Sequence, residues 1–263
     1  MTTEKPILLS ASVVLLDPAR GNGEPFGVFL LRRSQASSFM PARFVFPGGR
    51  VEAEDGPDPG ALETLRRCAL RELWEEAGVL LARGADGRLP ASAALPDLPR
   101  DGADLGAELA ARDLTWDTAA LRPWARWITP AARSKRFDTY FFLAAMPQGQ
   151  EASADHQETS QGLWLGPEQA LAENLAGRVE LAPPQVRLLG ELAACGGLEA
   201  LWQAPADLEP VRPRLWLGEG GRVVMLPWDR DYAAGEPGPS EACRAHQASR
   251  LVDREGRWLP HRA

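Results

Sequence analysis

The stretch Arg71-Glu72-Leu73-Trp74-Glu75-Glu76-Ala77-Gly78-Val79 decides the fold of this chain. With Asp58 as an N-cap, Pro59 as the first helical residue and Gly78 as the C-terminal stop, it predicts one helix of about five turns. Three glutamates then fall in the last two turns, where the helix dipole disfavours acidic side chains. A helix selected for stability alone would avoid this placement.

The three glutamates share one side of the predicted helix. At 100° per residue, Glu72, Glu75 and Glu76 lie within an arc of about 100°, so their charges repel by a few tenths of a kcal/mol per pair. An apolar stripe suited to core burial lies beside this arc. The stripe consists of Leu62, Leu65, Ala69, Leu73 and Ala77. A divalent cation would relieve the repulsion, whereas the plain alternative is a solvated acidic helix end.

The composition and net charge of the chain favour some classes of protein and argue against others. The 263 residues are 44% hydrophobic and 25% charged, which is typical of a globular chain. The net charge of -7 argues against broad binding to nucleic acid or to anionic membranes. Cys68, Cys195 and Cys243 are scattered and odd in number, so we expect reduced thiols and a cytoplasmic location. The apolar run 7–16 lacks a basic leader and predicts a strand rather than a signal peptide or membrane span.

The remaining elements follow from apolar runs and turn residues. The strands are expected at 7–16, 27–33, 44–46, 79–81, 124–129, 137–144 and 163–165. Helices are expected from Pro167 and over 183–194, and hairpins at 214–217 with 223–226 and at 250–252 with 258–259. We therefore expect a main domain over 1–195, an insertion at about 82–121, and a C-terminal extension over 196–263 packed on the same domain.

Two short segments could contact a ligand. The pair Gly48-Gly49 lets the backbone approach closely, and the Gly49 carbonyl could act as a hard oxygen ligand; a simple strand-ending turn is equally consistent with the pattern. The basic linker Arg133-Ser134-Lys135-Arg136 joins two predicted strands. It is either a solvated loop or, beside an acidic metal site, a clamp for substrate phosphate.

Residues 71–79 resemble the second half of the Nudix box, R-E-U-x-E-E-x-G-U, in which U is apolar. The resemblance implies an α/β (α+β) fold, an α/β/α sandwich with a mixed sheet. It also implies a hydrolase that cleaves diphosphates linked to another moiety, with Mg²⁺ or Mn²⁺ as cofactor. By the same resemblance, Glu72, Glu75 and Glu76 would be metal ligands, and Arg71 would orient them through salt bridges.

The upstream half of the box departs from the family pattern. Gly49 and Arg71 are separated by about eight more residues than G-x5-E-x7-R allows. Glu63 satisfies E-x7-R, but on a continuous helix it lies on the side opposite Glu72 and about 13 Å along the axis. We therefore expect Glu63 to point away from the metal, and Glu52 or Asp55 to supply the missing loop carboxylate.

A wider resemblance links the chain to the long-form Nudix enzymes typified by peroxisomal acyl-coenzyme A diphosphatases. It is carried by residues 30–34, 39–41, 46–49, 136–142 and 183–185. Those enzymes have an insertion inside the box and a C-terminal hairpin extension. The coenzyme A signature before Phe-Pro-Gly-Gly is only partly present, because Arg33-Ser34 fits but Ser37-Ser38-Phe39 replace the following basic residues.

The substrate implied by this resemblance is a small nucleotide of the coenzyme A type. Arg33, Arg43 and Arg136 are candidates for its 3'-phosphate, and Ser34 belongs to the partial signature. Phe39 and Met40 would flank the pantetheine or acyl arm, or else anchor their loop to the core.

Several alternatives stay open. The general base is Glu75 or Glu76 on the helix, or Glu158 on a later loop. Within the family, ADP-ribose or NADH is the alternative substrate. A Nudix-fold sensor without turnover is the alternative class of protein, although the complete set of Arg71 and three glutamates argues against it. Because long family members are often dimers, the resemblance favours a homodimer.

Overall fold

The computed structural model describes residues 6–35, 40–90, 98–100, 105–219 and 221–263. Its strands are β1 (Ile7–Asp17), β2 (Gly27–Arg33), β3 (Phe44–Val45), β4 (Gly48–Arg50), β5 (Ala82–Gly84), β6 (Leu114–Trp116), β7 (Arg122–Ile128), β8 (Arg136–Ala145), β9 (Thr159–Leu165), β10 (Arg214–Gly218), β11 (Gly221–Met225), β12 (Glu241–Ala242), β13 (Arg250–Arg254) and β14 (Arg257–Arg262). Its helices are α1 (Leu62–Ala77), α2 (Leu105–Ala111), α3 (Pro167–Leu175), α4 (Pro183–Ala194) and α5 (Leu198–Gln203).

A mixed seven-stranded sheet forms the centre of the molecule. Its order is β3-β2-β1-β8-β7, with β4 also paired to β1 and β9 to β2. The strands β1 and β8 run parallel from Ile7 opposite Arg136 to Leu16 opposite Ala145, whereas the other pairs are antiparallel. The apolar run of β1 is buried because this strand lies in the middle of the sheet. The predicted mixed sheet is confirmed.

Helices cover both faces of this sheet, as a sandwich requires. Alternate β1 residues such as Val13 and Leu15 face α1, where Leu65, Leu70 and Leu73 pack against them. The intervening β1 residues, including Val14 and Leu16, face a second core that contains side chains of α4 and of the C-terminal extension. The layered α/β/α architecture expected from the sequence is therefore present.

The helix α1 begins later than predicted. It starts at Leu62 rather than at Pro59, and Asp58 is not its N-cap. Instead, the Asp58 carboxylate accepts a hydrogen bond from the Gly60 amide (3.0 Å), and its carbonyl accepts one from Ala61 (3.0 Å). An Asp-Pro-Gly sequence favours such a turn over a first helical turn. Gly78 ends the helix in the left-handed conformation, as predicted.

The segments outside the sheet also differ in detail from the expectation. The strand predicted at 79–81 is displaced to β5, which pairs with β6 as a separate ribbon. With α2, this ribbon makes up the described part of the insertion, and Leu105 and Leu109 of α2 pack with Trp74 on α1. The two predicted C-terminal hairpins are present within one five-stranded sheet of order β10-β11-β13-β14-β12.

In the parts of the chain that are described, no helix combines the length and the apolar character needed to cross a lipid bilayer.

Candidate active site

Arg71 is the centre of the acidic cluster. It projects from the middle of α1 and is only 6% exposed. Its Nη1 donates to Glu72 Oε1 and to Glu75 Oε2, both at 2.9 Å, and its Nη2 donates to the Arg50 carbonyl at 3.1 Å. Burial lowers the pKa of Arg71, but its hydrogen bonds to Asp55 and the charges of Glu72 and Asp55 outweigh burial and raise that pKa. Arg71 therefore stays charged and fixes the positions of two glutamates.

Asp55 supports Arg71 from the loop before the helix. It is 3% exposed and accepts from Arg71 Nε (2.9 Å) and Nη2 (3.0 Å), while its Oδ2 also accepts from the Glu52 amide (2.8 Å). With both oxygens engaged by protein donors, Asp55 orients Arg71, and it does not match the loop carboxylate expected at a metal. Glu52 fits that expectation better, because it lines the same cavity as the three glutamates.

The glycine pair lets the backbone of β4 approach the helix. A Cβ on Gly49 would lie 2.1 Å from Glu72 Oε1, and one on Gly48 would lie 2.5 Å from the Ala11 carbonyl oxygen. The Gly48 amide donates to Glu76 Oε2 at 2.8 Å, and the Gly49 carbonyl accepts a long contact from Cys68 Sγ (3.7 Å). A larger residue at position 49 would displace the Glu72 carboxylate, and one at position 48 would collide with β1, which explains the two glycines on steric grounds.

The glutamates hold their protons more tightly than ordinary carboxyl groups. Burial, followed by the charge of Glu75, raises the pKa of Glu72 to about 7, even though Arg71 opposes this change. The pKa of Glu76 is raised well above its usual range by burial and by the charge of Glu72. Burial also raises the pKa of Glu75. When all three carboxyl groups are ionised, they carry more negative charge than Arg71 neutralises.

The donor set fits a hard divalent cation. Glu72, Glu75 and Glu76 each direct one oxygen at a protein donor, and the second oxygen of Glu75, Oε1, is buried with no hydrogen-bond partner among the described residues. Mg²⁺ and Mn²⁺ prefer carboxylate oxygens. Within the described residues, no three acidic, histidine or cysteine side chains already stand as a preformed metal cluster. The two glutamates held by Arg71 would therefore have to adjust when a cation binds.

A cavity of about 860 Å³ opens beside the carboxylates. Its acidic end contains Glu52, Glu54, Glu72, Glu75, Glu76 and Glu158. Its basic rim contains Arg33, Arg50, Arg100, Arg133 and Lys135. Its apolar walls contain Val45, Phe46, Trp127, Phe137, Phe141, Pro183, Pro184, Pro213, Leu215 and Val224. The cavity can thus receive a ligand that has both a charged and an apolar part.

Some of the predicted substrate-binding residues line the cavity and others do not. Arg33 and Met40 line the cavity. The Ser34 amide donates to the Glu158 carbonyl at 2.9 Å, so Ser34 supports the loop of Glu158 and is not itself part of the lining. Phe39 lies outside the described residues.

Arg43 and Arg136 are not part of the cavity lining, contrary to the prediction. Arg43 pairs with Glu180 at 3.1 Å and donates to the Gly256 carbonyl in the C-terminal extension. Arg136 is buried, and its Nε donates to the Thr129 carbonyl at 3.2 Å. Since side chains alternate along a strand, its neighbours Lys135 and Phe137 face the cavity instead.

Two further glutamates, Glu63 and Glu158, lie at different distances from the acidic cluster. Glu63 is half exposed, pairs with Arg67 at 3.4 Å and accepts from Thr118 at 3.2 Å, so it points away from the cluster as predicted. Glu158 lines the cavity, and its charge contributes to the raised pKa of Glu72 and of Glu76. The structure therefore brings Glu158 to the three helix glutamates.

Some cavity residues were not predicted. Ser10 and Ser12 interrupt the apolar run of β1, and both line the cavity. The sequence did contain a signal for them, because two polar residues two positions apart on a buried strand lie on the same face of the sheet. Gln185 belongs to the segment 183–185 that carries the family resemblance, but nothing in the sequence placed it at the cavity. The wall supplied by the C-terminal extension had no sequence signal, because it reaches the cavity only through tertiary packing.

Comparison with known proteins agrees with this geometry. The family model of the NUDT19 Nudix domain matches residues 57–192, and that of the NUDIX domain matches residues 7–94. The acyl-coenzyme A diphosphatase NUDT19 of Homo sapiens is 31% identical over 80% of this chain and 73% of its own length. The protein of the same name from Gallus gallus is 28% identical over 85% of this chain and 79% of its own length.

A solved structure shows the same architecture. The crystal structure of a NUDIX hydrolase from Alicyclobacillus acidocaldarius superposes with a TM-score of 0.68 at 27% sequence identity, covering 78% of this chain and 99% of that one. The family models, the relatives and the fold agree with the motif at residues 71–79. The chain therefore belongs to the Nudix hydrolases, in the group described by the NUDT19 Nudix domain.

Proposed function

We propose that this Nudix hydrolase cleaves the diphosphate of coenzyme A or acyl-coenzyme A, releasing 3',5'-ADP and 4'-phosphopantetheine or its acyl form. The observation that carries the proposal is a single cavity in which buried glutamates, a basic rim and an apolar wall meet. Coenzyme A has the matching parts, namely a diphosphate, a 3'-phosphate and a long weakly polar arm. The names of the similar proteins support the same substrate class.

The basic rim is suited to the 3'-phosphate. Burial, followed by the charges of Arg222 and Arg43, lowers the pKa of Arg133. Positive charge thus accumulates at this side of the cavity, and an anion would offset the repulsion. In this proposal Arg33 keeps its expected role at the 3'-phosphate, and Arg133 and Lys135 replace Arg43 and Arg136.

The chain's own residues supply positioning and proton transfer. Glu72, Glu75 and Glu76, with the Gly49 carbonyl, would hold Mg²⁺ or Mn²⁺, which when bound screens the charge of the diphosphate and acidifies water. Arg71 keeps Glu72 and Glu75 in place. The oxygen of a water molecule attacks one phosphorus, a carboxylate accepts the water proton, and the bridging oxygen leaves with the other phosphate. Glu158, Glu75 and Glu76 are the candidate bases.

A substrate panel tests this proposal. Purified protein is incubated with coenzyme A, acetyl-coenzyme A, ADP-ribose and NADH, each with Mg²⁺ and with Mn²⁺, and the products are separated by chromatography. We expect 3',5'-ADP from the first two substrates. Turnover of ADP-ribose or NADH with coenzyme A untouched would show that coenzyme A is not the substrate. No turnover of any diphosphate would favour a nucleotide sensor.

Two other expectations stay predictions. A homodimer would be seen as a doubled mass in light scattering coupled to size-exclusion chromatography. A cytoplasmic location would be tested by fractionation of cells that express the full-length protein.

A further inference from the structure

Gln185 is a buried polar residue in the wall of the cavity. It is the third residue of α4 and only 5% exposed. Among the described residues, its Oε1 atom has no hydrogen-bond partner. Buried side-chain polar atoms in proteins are nearly always paired, because an unpaired one has lost its water without compensation. An unpaired amide oxygen at a cavity wall therefore points to a hydrogen-bond donor on the ligand.

The cavity floor is the part of the central sheet that runs from the acidic end of the cavity to the C-terminal extension. Its length follows from the number of strands it crosses. Arg50, Ser10, Thr139 and Trp127 are successive partners across β4, β1, β8 and β7, and all four line the cavity. Three strand spacings separate Arg50 from Trp127, which is about 14 Å. Trp127 is in turn bridged to Val211 in the C-terminal extension.

The far end of this floor is apolar. Pro213 and Leu215 of the extension, together with Val224 on β11, form the wall beyond Trp127. A terminal ribose, such as the one in ADP-ribose, would leave this wall uncovered, since its hydroxyl groups gain nothing from apolar side chains. An elongated, weakly polar group would cover it.

We infer that Gln185 and the apolar wall of the C-terminal extension hold the pantetheine arm of the substrate, with a hydrogen bond between Gln185 and one amide of that arm. This inference rests on the proposed function and names the part of the site that selects coenzyme A over ADP-ribose. The arm between phosphate and sulfur has about twelve bonds, the backbone length of about four residues, and spans roughly 14 Å when extended. That length matches the floor from Arg50 to Trp127.

The chemistry of the arm matches as well. It carries two amides, and each offers an N–H and a carbonyl, so either amide can pair with a glutamine side chain. The sulfur end of the arm is apolar, and together with any acyl group it can pack on Leu215 and Val224 while the diphosphate remains at the glutamates. ADP-ribose has no amide in the corresponding position and would leave Gln185 unpaired.

The test compares Gln185→Leu with the matched control Gln203→Leu, a change at an exposed glutamine on α5. For Gln185→Leu we expect kcat/KM for coenzyme A to fall about tenfold or more, because the hydrogen bond to the arm is lost. The inhibition constant of 3',5'-ADP, which has no arm, should stay within about twofold. The unfolding midpoint should be unchanged or higher, since a buried unpaired group is removed.

The outcomes separate this inference from the proposed function. If the wild-type protein does not cleave coenzyme A, both are wrong. If it does, but Gln185→Leu behaves like Gln203→Leu or weakens 3',5'-ADP binding equally, only the inference is overturned. Should Gln185→Leu fail to fold, Leu215→Asn on the half-buried edge of the wall replaces it, with the same expected loss for coenzyme A and the same unchanged inhibition by 3',5'-ADP.

Discussion

Two buried arginines organise carboxylates in this molecule, with opposite consequences for the acids. Arg71 on α1 contacts Asp55, Glu72 and Glu75. Arg250 on β13, 1% exposed, contacts Asp229 through Nε (2.7 Å) and Nη2 (2.5 Å), and Asp231 through Nη2 (2.7 Å). The pKa values of the glutamates around Arg71 are raised, whereas those of the two aspartates around Arg250 are lowered.

The difference lies in how completely each cluster is paired. Burial opposes the lowered pKa of Asp229, but hydrogen bonds from Arg250 and Ser249 outweigh it. Hydrogen bonds from Arg250 and from the Gly238 amide lower the pKa of Asp231. Around Arg71, by contrast, Glu75 retains a buried oxygen without a partner in the described structure. A fully paired cluster is costly to break, because losing one partner leaves a buried charge, whereas an acid-rich, incompletely paired cluster is suited to bind a cation.

The largest expected effect is on activity at the acid-rich cluster. Replacing Glu76 by glutamine should lower kcat/KM at least about a hundredfold, because a carboxylate needed for the cation or for proton transfer is lost. The free energy of unfolding without metal should not fall, since the amide can still accept from Gly48 and no charge is buried. Steady-state kinetics and urea unfolding measure the two quantities.

The control for this change is Glu199→Gln, at an exposed glutamate on α5. It should leave kcat/KM and stability near the wild-type values. A Glu76→Gln protein that kept most of its activity would remove Glu76 from the site. One that unfolded much more easily than Glu199→Gln would make the carboxylate structural, like those of the Arg250 cluster.

The paired cluster should show the opposite response. Arg250→Met leaves Asp229 buried without its cation, and we expect a loss of about 3 kcal/mol in the free energy of unfolding. Arg254→Met, at the exposed end of the same strand, is the matched control. Chemical denaturation of both variants checks the difference. Equal stability of the two would mean that the buried pair contributes no net stabilisation.

The comparison also shows what the sequence could predict. The spacing of residues 71–79 placed Glu72, Glu75 and Glu76 together, because helix geometry converts local spacing directly into a common face. The bounds of α4 and β2 were predicted for similar reasons, from a proline at the first helical turn and from a continuous apolar run.

Contacts between distant segments were not predictable in this way. Asp229 and Arg250 are separated by 21 residues, and no periodicity marks them as partners. The basic linker was interpreted as either a solvated loop or a phosphate clamp. Which of its side chains face the cavity depends on strand register, so Arg136 was chosen although Lys135 lines the cavity. The turn at Asp58 shortened α1 because a local hydrogen bond competed with the helix.

A smaller effect is expected in the pH dependence of stability without metal. The pKa of Glu72 is about 7 in the folded protein, against an ordinary value of 4.5. The folded state therefore binds more protons between these values, and stability falls as pH rises from about 4.5 to about 7. The slope from this one carboxyl is at most about 1.4 kcal/mol per pH unit. Asp229 and Asp231, whose pKa values are lowered, lose their contribution only when pH falls below about 3.8.

Urea unfolding in EDTA at about pH 5.5, 6.5 and 7.5 measures this slope. Glu72→Gln should reduce the slope and leave the part contributed by Glu75 and Glu76. Mg²⁺ in place of EDTA should also reduce it, because the cation competes with protons for the carboxylates. Stability that rises over this range in the wild-type protein would contradict the raised pKa of Glu72.

The smallest effect should come from Glu63. This residue has the family's E-x7-R spacing to Arg71, but its side chain points away from the acidic cluster. Glu63→Gln breaks only a half-exposed pair with Arg67 on the far side of α1, so kcat/KM should change less than about twofold and stability by less than about 0.5 kcal/mol. Glu52→Gln, in the loop that lines the cavity, is the informative partner variant and should lower activity more. The ratio of the two kinetic effects decides whether the longer spacing between Gly49 and Arg71 has moved the upstream acid from the helix to the loop. A larger loss for Glu63→Gln would return that role to the helix and would require α1 to present both of its sides to the substrate.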